Sequence, residues 1–74
     1  MTDEKQISKK LGANIAKYRR QRNLTQEQLA EATESGRTTI QFIERGDRFP
    51  RTVTLVKLSR ALDVPIDKLF QGIK

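Results

Sequence analysis

Residues 24–46 read LTQEQLAEATESGRTTIQFIERG, and the reading of this stretch decides the fold. Thr25-Gln26-Glu27-Gln28 has the form of a capping box. A Thr hydroxyl accepts from the amide of Gln28, and the Gln28 side chain reaches back to the amide of Thr25. Leu24 and Leu29 occupy the two positions of a hydrophobic staple across that start. A helix therefore begins at Thr25, with Leu29 and Ala30 as its buried knobs, and its apolar pattern stops at Ala32-Thr33. Thr33-Glu34-Ser35-Gly36 lacks apolar periodicity and contains a glycine, which places a turn there. A second helix runs from about Arg37 to Arg45, with Ile40 and Ile43 as its buried edge. Gly46 after it suits a left-handed C-terminal cap.

At 3.6 residues per turn, Thr38, Gln41, Phe42 and Arg45 fall away from the isoleucine edge, and Arg37 lies to one side at the helix start. Such a face suits the major groove of DNA, where Arg can bond guanine in bidentate fashion, Gln can do so with adenine, and Thr or Phe can meet a thymine methyl. Arg37, Thr38, Gln41 and Phe42 are thus the candidate base-contacting residues. The competing reading makes Arg37, Thr38 and Gln41 ordinary surface residues and Phe42 a satellite of the core.

The flanking sequence is helical as well. Ile7, Leu11, Ile15 and Tyr18 recur at i+4 and i+3 spacing, so an amphipathic helix is expected from about Ser8 to Arg22, closed by Asn23 in a left-handed cap. Lys9, Lys10, Lys17, Arg20 and Arg22 cover much of its remaining surface, in the simplest reading a solvated face. The polar residues 1–6 are expected to form a flexible N-terminus and residues 7–74 a single domain. Asp47-Arg48-Phe49-Pro50-Arg51 reads as a loop whose arginines, Arg48 and Arg51, could meet phosphate. Thr52 is a plausible N-cap for a fourth helix over about Val53 to Leu62, with Leu55, Leu58 and Leu62 as its stripe. Pro65 opens a last short helix, to about Gln71. Ile66, Leu69, Phe70 and Ile73 are many apolar residues for so short a terminus: some complete the core, and the remainder are expected to form a homodimer patch.

Seventy-four residues make one domain with one small core. The chain has no Cys and no His, which excludes disulfides, a zinc finger and a His-based catalytic triad. With no converging carboxylates either, no nucleophile–base pair is left, and an enzyme is not expected. Neither a metal nor a cofactor is implied. No apolar run approaches the 18 or so residues of a membrane span, and MTDEKQISKK has no signal-peptide core, so a cytoplasmic protein is expected. Fifteen Lys and Arg against nine Asp and Glu leave a net charge of +6, which favours a polyanionic partner.

LTQEQLA with IERG downstream resembles the helix-turn-helix of the Cro/repressor (XRE) family, and the resemblance extends over roughly Leu11 to Phe70. It implies an all-α, compact five-helix, lambda-repressor-like domain whose helices 2 and 3 form the helix-turn-helix. The family usually carries a Gly, an apolar residue and a Ser or Thr in the turn, where this chain has Glu34, Ser35 and Gly36. The expectation is a turn strained or reshaped around Gly36, with the recognition-helix start displaced by up to about one residue. Asp63 stands where the family often has Gly.

The resemblance also implies roles. The family's Arg five residues before the Leu of LTQ, here Arg19, pairs with the Glu of IERG, here Glu44; the alternative is two independent surface charges. A Gln at the position of Gln26 contacts phosphate in the family, in keeping with the anion preference of a helix start. Thr25 and Arg45 are further candidate phosphate contacts, beside Arg48 and Arg51. Family members commonly bind inverted repeats as twofold dimers. The expected function is a sequence-specific regulator of transcription on double-stranded DNA, a homodimeric repressor. The alternative is a protein-interaction module on the same fold that reads no DNA sequence.

Overall fold

Capping chemistry sets the element boundaries. The computed structural model describes residues 3–73, which form five helices and no strand: α1 (Glu4–Gln21), α2 (Gln26–Ala32), α3 (Arg37–Arg45), α4 (Thr52–Leu62) and α5 (Ile66–Leu69). The all-α, five-helix architecture agrees with the expectation from the sequence. α1 starts a turn earlier than the apolar periodicity suggested. Asp3 and Gln6 form a capping box of their own, with Gln6 N–H donating to Asp3 Oδ1 at 2.8 Å and Asp3 N–H to Gln6 Oε1 at 3.2 Å. Residues 4–6 are therefore helical, while Met1 and Thr2 lie outside the described residues. α4 starts at Thr52 itself, with Arg51 as a cap residue that makes no side-chain bond. α5 is shorter than expected, with Pro65 as its N-cap.

Four helices end in one hydrogen-bond pattern. After α1, α2, α3 and α4 a left-handed residue follows, at Asn23, Glu34, Gly46 and Asp63 respectively. The amide of the next residue then reaches back to a carbonyl of the last turn: Leu24 to Arg19, Ser35 to Ala30, Asp47 to Phe42 and Val64 to Ser59, at 2.8–3.1 Å. Asn23 and Gly46 take the role that the sequence assigns them. In the turn between α2 and α3, however, the left-handed residue is Glu34 (φ 56°), whereas Gly36 is extended (φ −79°) and precedes α3. Of the two outcomes expected for this turn, strain at a left-handed non-glycine is found, at Glu34, and reshaping around Gly36 is not; α3 begins at Arg37. Glu34 accepts a hydrogen bond from Lys57 Nζ at 2.9 Å, and this bond, aided by the ammonium charge, holds its carboxyl below the usual glutamate range. A left-handed aspartate is less favourable than a glycine, but Asp63 also accepts from Arg22 Nη2 in an exposed pair at 2.7 Å, so Asp63→Gly should stabilise the domain by at most about 0.5 kcal/mol, a rise of no more than ~2–4 °C in Tm by circular dichroism.

The core is one cluster drawn from every helix: Leu11, Ile15 and Tyr18 from α1, Leu29 and Ala30 from α2, Ile40 and Ile43 from α3, Leu55, Leu58 and Leu62 from α4, and Leu69 from α5. Leu24 packs against it from the α1–α2 corner, as a staple residue should. Ile7, expected to head the α1 stripe, is only half-buried. α1 and α2 both pack on α3, so the helix with the polar face is held from behind along its length. α1 approaches α3 closely at Gly12, where a Cβ would stand 2.7 Å from the carbonyl oxygen of Glu44 and nearer still to that of Ile43. Gly46 is confined in two ways: its φ is +82°, and a Cβ there would meet the Lys9 backbone at 2.7 Å. Buried Asn14 fastens the C-terminal segment, its Nδ2 donating to the carbonyls of Leu69 (2.8 Å) and Gln71 (2.9 Å).

Leu69 is 0% exposed and belongs to the core, which corrects its place in the expected dimer patch. A side chain with no accessible surface cannot meet a second copy. Ile66 is 39% exposed, and Phe70 and Ile73 are half-buried against the core.

Candidate nucleic-acid interface

The start of α2 is fixed by its capping box. Gln28 N–H donates to Thr25 Oγ1 at 3.0 Å, and Thr25 N–H donates to Gln28 Oε1 at 2.9 Å. Both bonds hold the first turn of α2 in place, and with it Gln26.

Behind that turn lies an ion-pair network. Arg19 grips Glu44 with two nitrogens, Nε to Oε2 at 2.7 Å and Nη2 to Oε1 at 3.2 Å, while Nη1 donates to the carbonyl of Leu24 at 2.8 Å. The planar guanidinium thus serves three acceptors at once in a fork geometry that a lysine ammonium does not reproduce. Gln26 Nε2 donates to the same Glu44 Oε1 at 3.0 Å. One carboxylate therefore ties α1, the α1–α2 corner and the start of α2 to α3. No buried side-chain polar atom among the described residues lacks a partner. The Gln26 bond joins residues 18 apart on different helices, and nothing in the sequence signals it.

The outer face of α3 carries the remaining candidates. Arg37 and Thr38 are exposed, and Gln41 and Phe42 are half-buried on the same side, with exposed Arg45 one turn beyond. Ile40 and Ile43 are fully buried on the opposite side. Two open clefts flank the helix. The first is lined by Arg19, Thr25, Gln26 and Arg37 with Glu27, Gln28 and Glu31. The second is lined by Thr39, Arg48, Arg51 and Thr54 with Ile43, Phe49 and Pro50. Eight of the nine candidate contact residues thus fall on this face or in its flanking clefts. Arg45, the ninth, projects at the helix end and pairs with Asp47 at 3.1 Å. Phe42 is not simply an apolar tip: the guanidinium carbons of Arg45 and Arg48 lie 5.1 and 5.4 Å from its ring centroid. Among the described residues no cluster of acidic side chains could hold a metal, and no helix is long and apolar enough to cross a membrane.

Two short helices joined by a tight turn, the second backed by a core and presenting a polar, cationic face between clefts, define a helix-turn-helix DNA-binding domain. The chain belongs to the helix-turn-helix family HTH_3, whose model matches residues 15–69, a family of transcriptional regulators and not of enzymes. It is 41% identical over 70 residues to the control protein C.SmaI of Serratia marcescens, spanning 92% of this chain and 83% of that one. It is 38% identical over 58 residues to the HTH-type transcriptional regulator y4dJ of Sinorhizobium fredii, spanning 78% and 75% of the two chains. Among solved structures, the restriction-modification controller protein C.AhdI of Aeromonas hydrophila superposes with a TM-score of 0.81 at 34% identity, over 84% of this chain and 94% of that one.

Proposed function

We propose that this regulator is a sequence-specific repressor that binds an inverted-repeat operator as a homodimer, in the cytoplasm. The observation that carries the reading is the arrangement about α3: a polar face with Arg37, Thr38 and Gln41, flanked on both sides by clefts that hold Gln26 and Arg48–Arg51. A helix lying in a major groove has a sugar–phosphate backbone on either side, and the two clefts stand where those backbones would run. Gln26 uses one amide hydrogen on Glu44 and keeps the other for phosphate. Phosphate contacts by Thr25, Gln26, Arg45, Arg48 and Arg51 would set register and most of the affinity, and Arg37, Thr38 and Gln41 would supply sequence preference.

One domain offers few base contacts, so a second copy is needed for a selective site. Ile66 is exposed, Phe70 and Ile73 are half-buried, and the ring of Phe49, itself 46% exposed, is tilted against that of Phe70 at a centroid distance of 6.3 Å. This C-terminal apolar surface is the proposed dimer face. The likeness to C.AhdI, a restriction-modification controller protein, and to C.SmaI, a control protein, supports a role in controlling a restriction-modification system. Repression needs only occupancy of a promoter.

Selection from random duplex DNA, followed by titration at two salt concentrations, tests the reading. The expected result is an inverted repeat bound at least ~10³-fold more tightly than random duplex. Weak binding with no enriched motif, lost as salt rises, would leave charge as the sole attraction and favour a protein-interaction module instead. On the selected site Arg37→Ala should lose about 1–3 kcal/mol and relax preference at one position, whereas Gln26→Ala should weaken all sites alike. Unchanged specific binding by Arg37→Ala would show that α3 docks in another register.

A further inference from the structure

We infer that Phe42 is a positioning residue for phosphate and reads no base: its ring assembles Arg45 and Arg48 into a two-guanidinium clamp for the DNA backbone. The inference rests on the DNA-binding reading above. Both cations lie beside one half-buried ring, at 5.1 and 5.4 Å from its centroid. They come from either side of a sharp chain reversal. Arg45 is the last residue of α3, Gly46 follows in the left-handed conformation, and Asp47 N–H closes the turn on the Phe42 carbonyl at 2.9 Å. Arg48 is thereby folded back toward the ring on which Arg45 already rests. The aromatic face attracts each guanidinium, and it limits the rotamers of two long side chains that would otherwise sweep through solvent.

Two like charges held around one ring need an anion. Asp47 supplies one, with its Oδ2 3.1 Å from Arg45 Nε. Both partners of that pair are largely exposed, at 62% and 48%, so a phosphate can compete for the guanidinium. Arg48 lines the cleft beside α3 and lies in no ion pair among the described residues. With its ring engaged by two cations, Phe42 is poorly placed to present an apolar surface to a thymine methyl. Its contribution falls on affinity, through oriented cations, and not on sequence preference.

The test compares Phe42→Leu, Phe42→Tyr and the wild type on the selected duplex and on random duplex, across a series of salt concentrations. Leucine keeps the apolar bulk and removes the aromatic face; tyrosine keeps the face. Phe42→Leu should bind about tenfold more weakly. The slope of log affinity against log salt should become shallower by about 1–2, since each phosphate contact contributes ~0.9. The selected motif should be unchanged at every position, and Phe42→Tyr should restore affinity and slope. In an Arg45→Gln/Arg48→Gln background the Phe42→Leu change should add almost nothing. A motif altered at one position would overturn the inference and make Phe42 a base reader; unchanged affinity and slope would overturn it as well. Should Phe42→Leu fail to fold, Arg45→Gln/Arg48→Gln alone must still reduce the slope by about 2, or the clamp does not exist. If the wild type selects no motif, the regulator reading fails separately, and the slope on random duplex still decides the clamp.

Discussion

Arg19→Ala should cost the domain about 3 kcal/mol of stability. The Glu44 side chain is 6% exposed and that of Arg19 12%, so this is a buried pair and not a surface one. Removing the guanidinium leaves a desolvated carboxylate with Gln26 Nε2 as its sole remaining side-chain donor, and leaves the Leu24 carbonyl without its Arg19 bond. Breaking a buried pair from one side typically costs about 3–5 kcal/mol. The residual exposure and the Gln26 bond place this case at the lower end. A domain of this length is stable by roughly 4–11 kcal/mol, so the loss is a large fraction of the whole. In urea the midpoint should fall with little change in slope, and Tm should drop by ~12–24 °C. Arg19→Lys should recover only part, because an ammonium cannot reach both carboxylate oxygens and the Leu24 carbonyl in fork geometry. Arg19→Met/Glu44→Met should recover more than either single change predicts, since no charge is left buried. A midpoint for Arg19→Ala equal to that of the wild type would mean that the pair holds nothing together.

The parts of this architecture that were legible in the sequence are those written locally. The Thr25–Gln28 capping box, the Leu24–Leu29 staple, the isoleucine edge of α3 and the Gly46 cap each depend on residues within one or two turns of each other, and each appears where the residues placed it. The Asp3–Gln6 box is equally local, but it lies outside the apolar stripe, so periodicity alone set the start of α1 too late. In the turn between α2 and α3 the sequence left two outcomes open, strain at a non-glycine left-handed residue or reshaping around Gly36, and the structure has the first, at Glu34. The hydrogen-bond register after α2 requires that conformation at Glu34, and tertiary packing of α2 on α3 overrides the local cost. Other features are long-range and left no pattern. Asn14 reaches Leu69 and Gln71 across more than fifty residues, Gln26 shares the Glu44 carboxylate, and Arg48 returns to the Phe42 ring only because Gly46 reverses the chain. The four apolar residues near the C-terminus were visible as a group, yet only the docking of α5 against α1 and α4 separates buried Leu69 from exposed Ile66.

Gly12→Ala should destabilise the domain by about 2–3 kcal/mol, although helix propensity alone favours alanine there by about 1 kcal/mol. Gly12 lies in the middle of α1, and a local reading would count it as a weakness of that helix. The three-dimensional context reverses the sign. The added methyl would meet the carbonyl oxygens of Ile43 and Glu44, which are backbone atoms of α3 and cannot swing aside as a side-chain tip could. Relief requires α1 to lift from α3 at Gly12. The same movement draws Arg19 away from Glu44 and loosens the support beneath Ile43, so the strain reaches the ion-pair network and the recognition helix together. Thermal unfolding followed by circular dichroism should show Tm lower by ~8–24 °C, with helix content nearly unchanged at low temperature. DNA affinity should fall even where the variant remains folded, because Glu44, displaced with α3, also holds Gln26 at the start of α2. Ala13→Gly, one residue on and exposed, is the matching control: it should cost about 1 kcal/mol through propensity alone and leave DNA binding intact. If Gly12→Ala instead raised Tm, propensity would have prevailed, and α1 would separate from the Ile43 and Glu44 carbonyls at little cost.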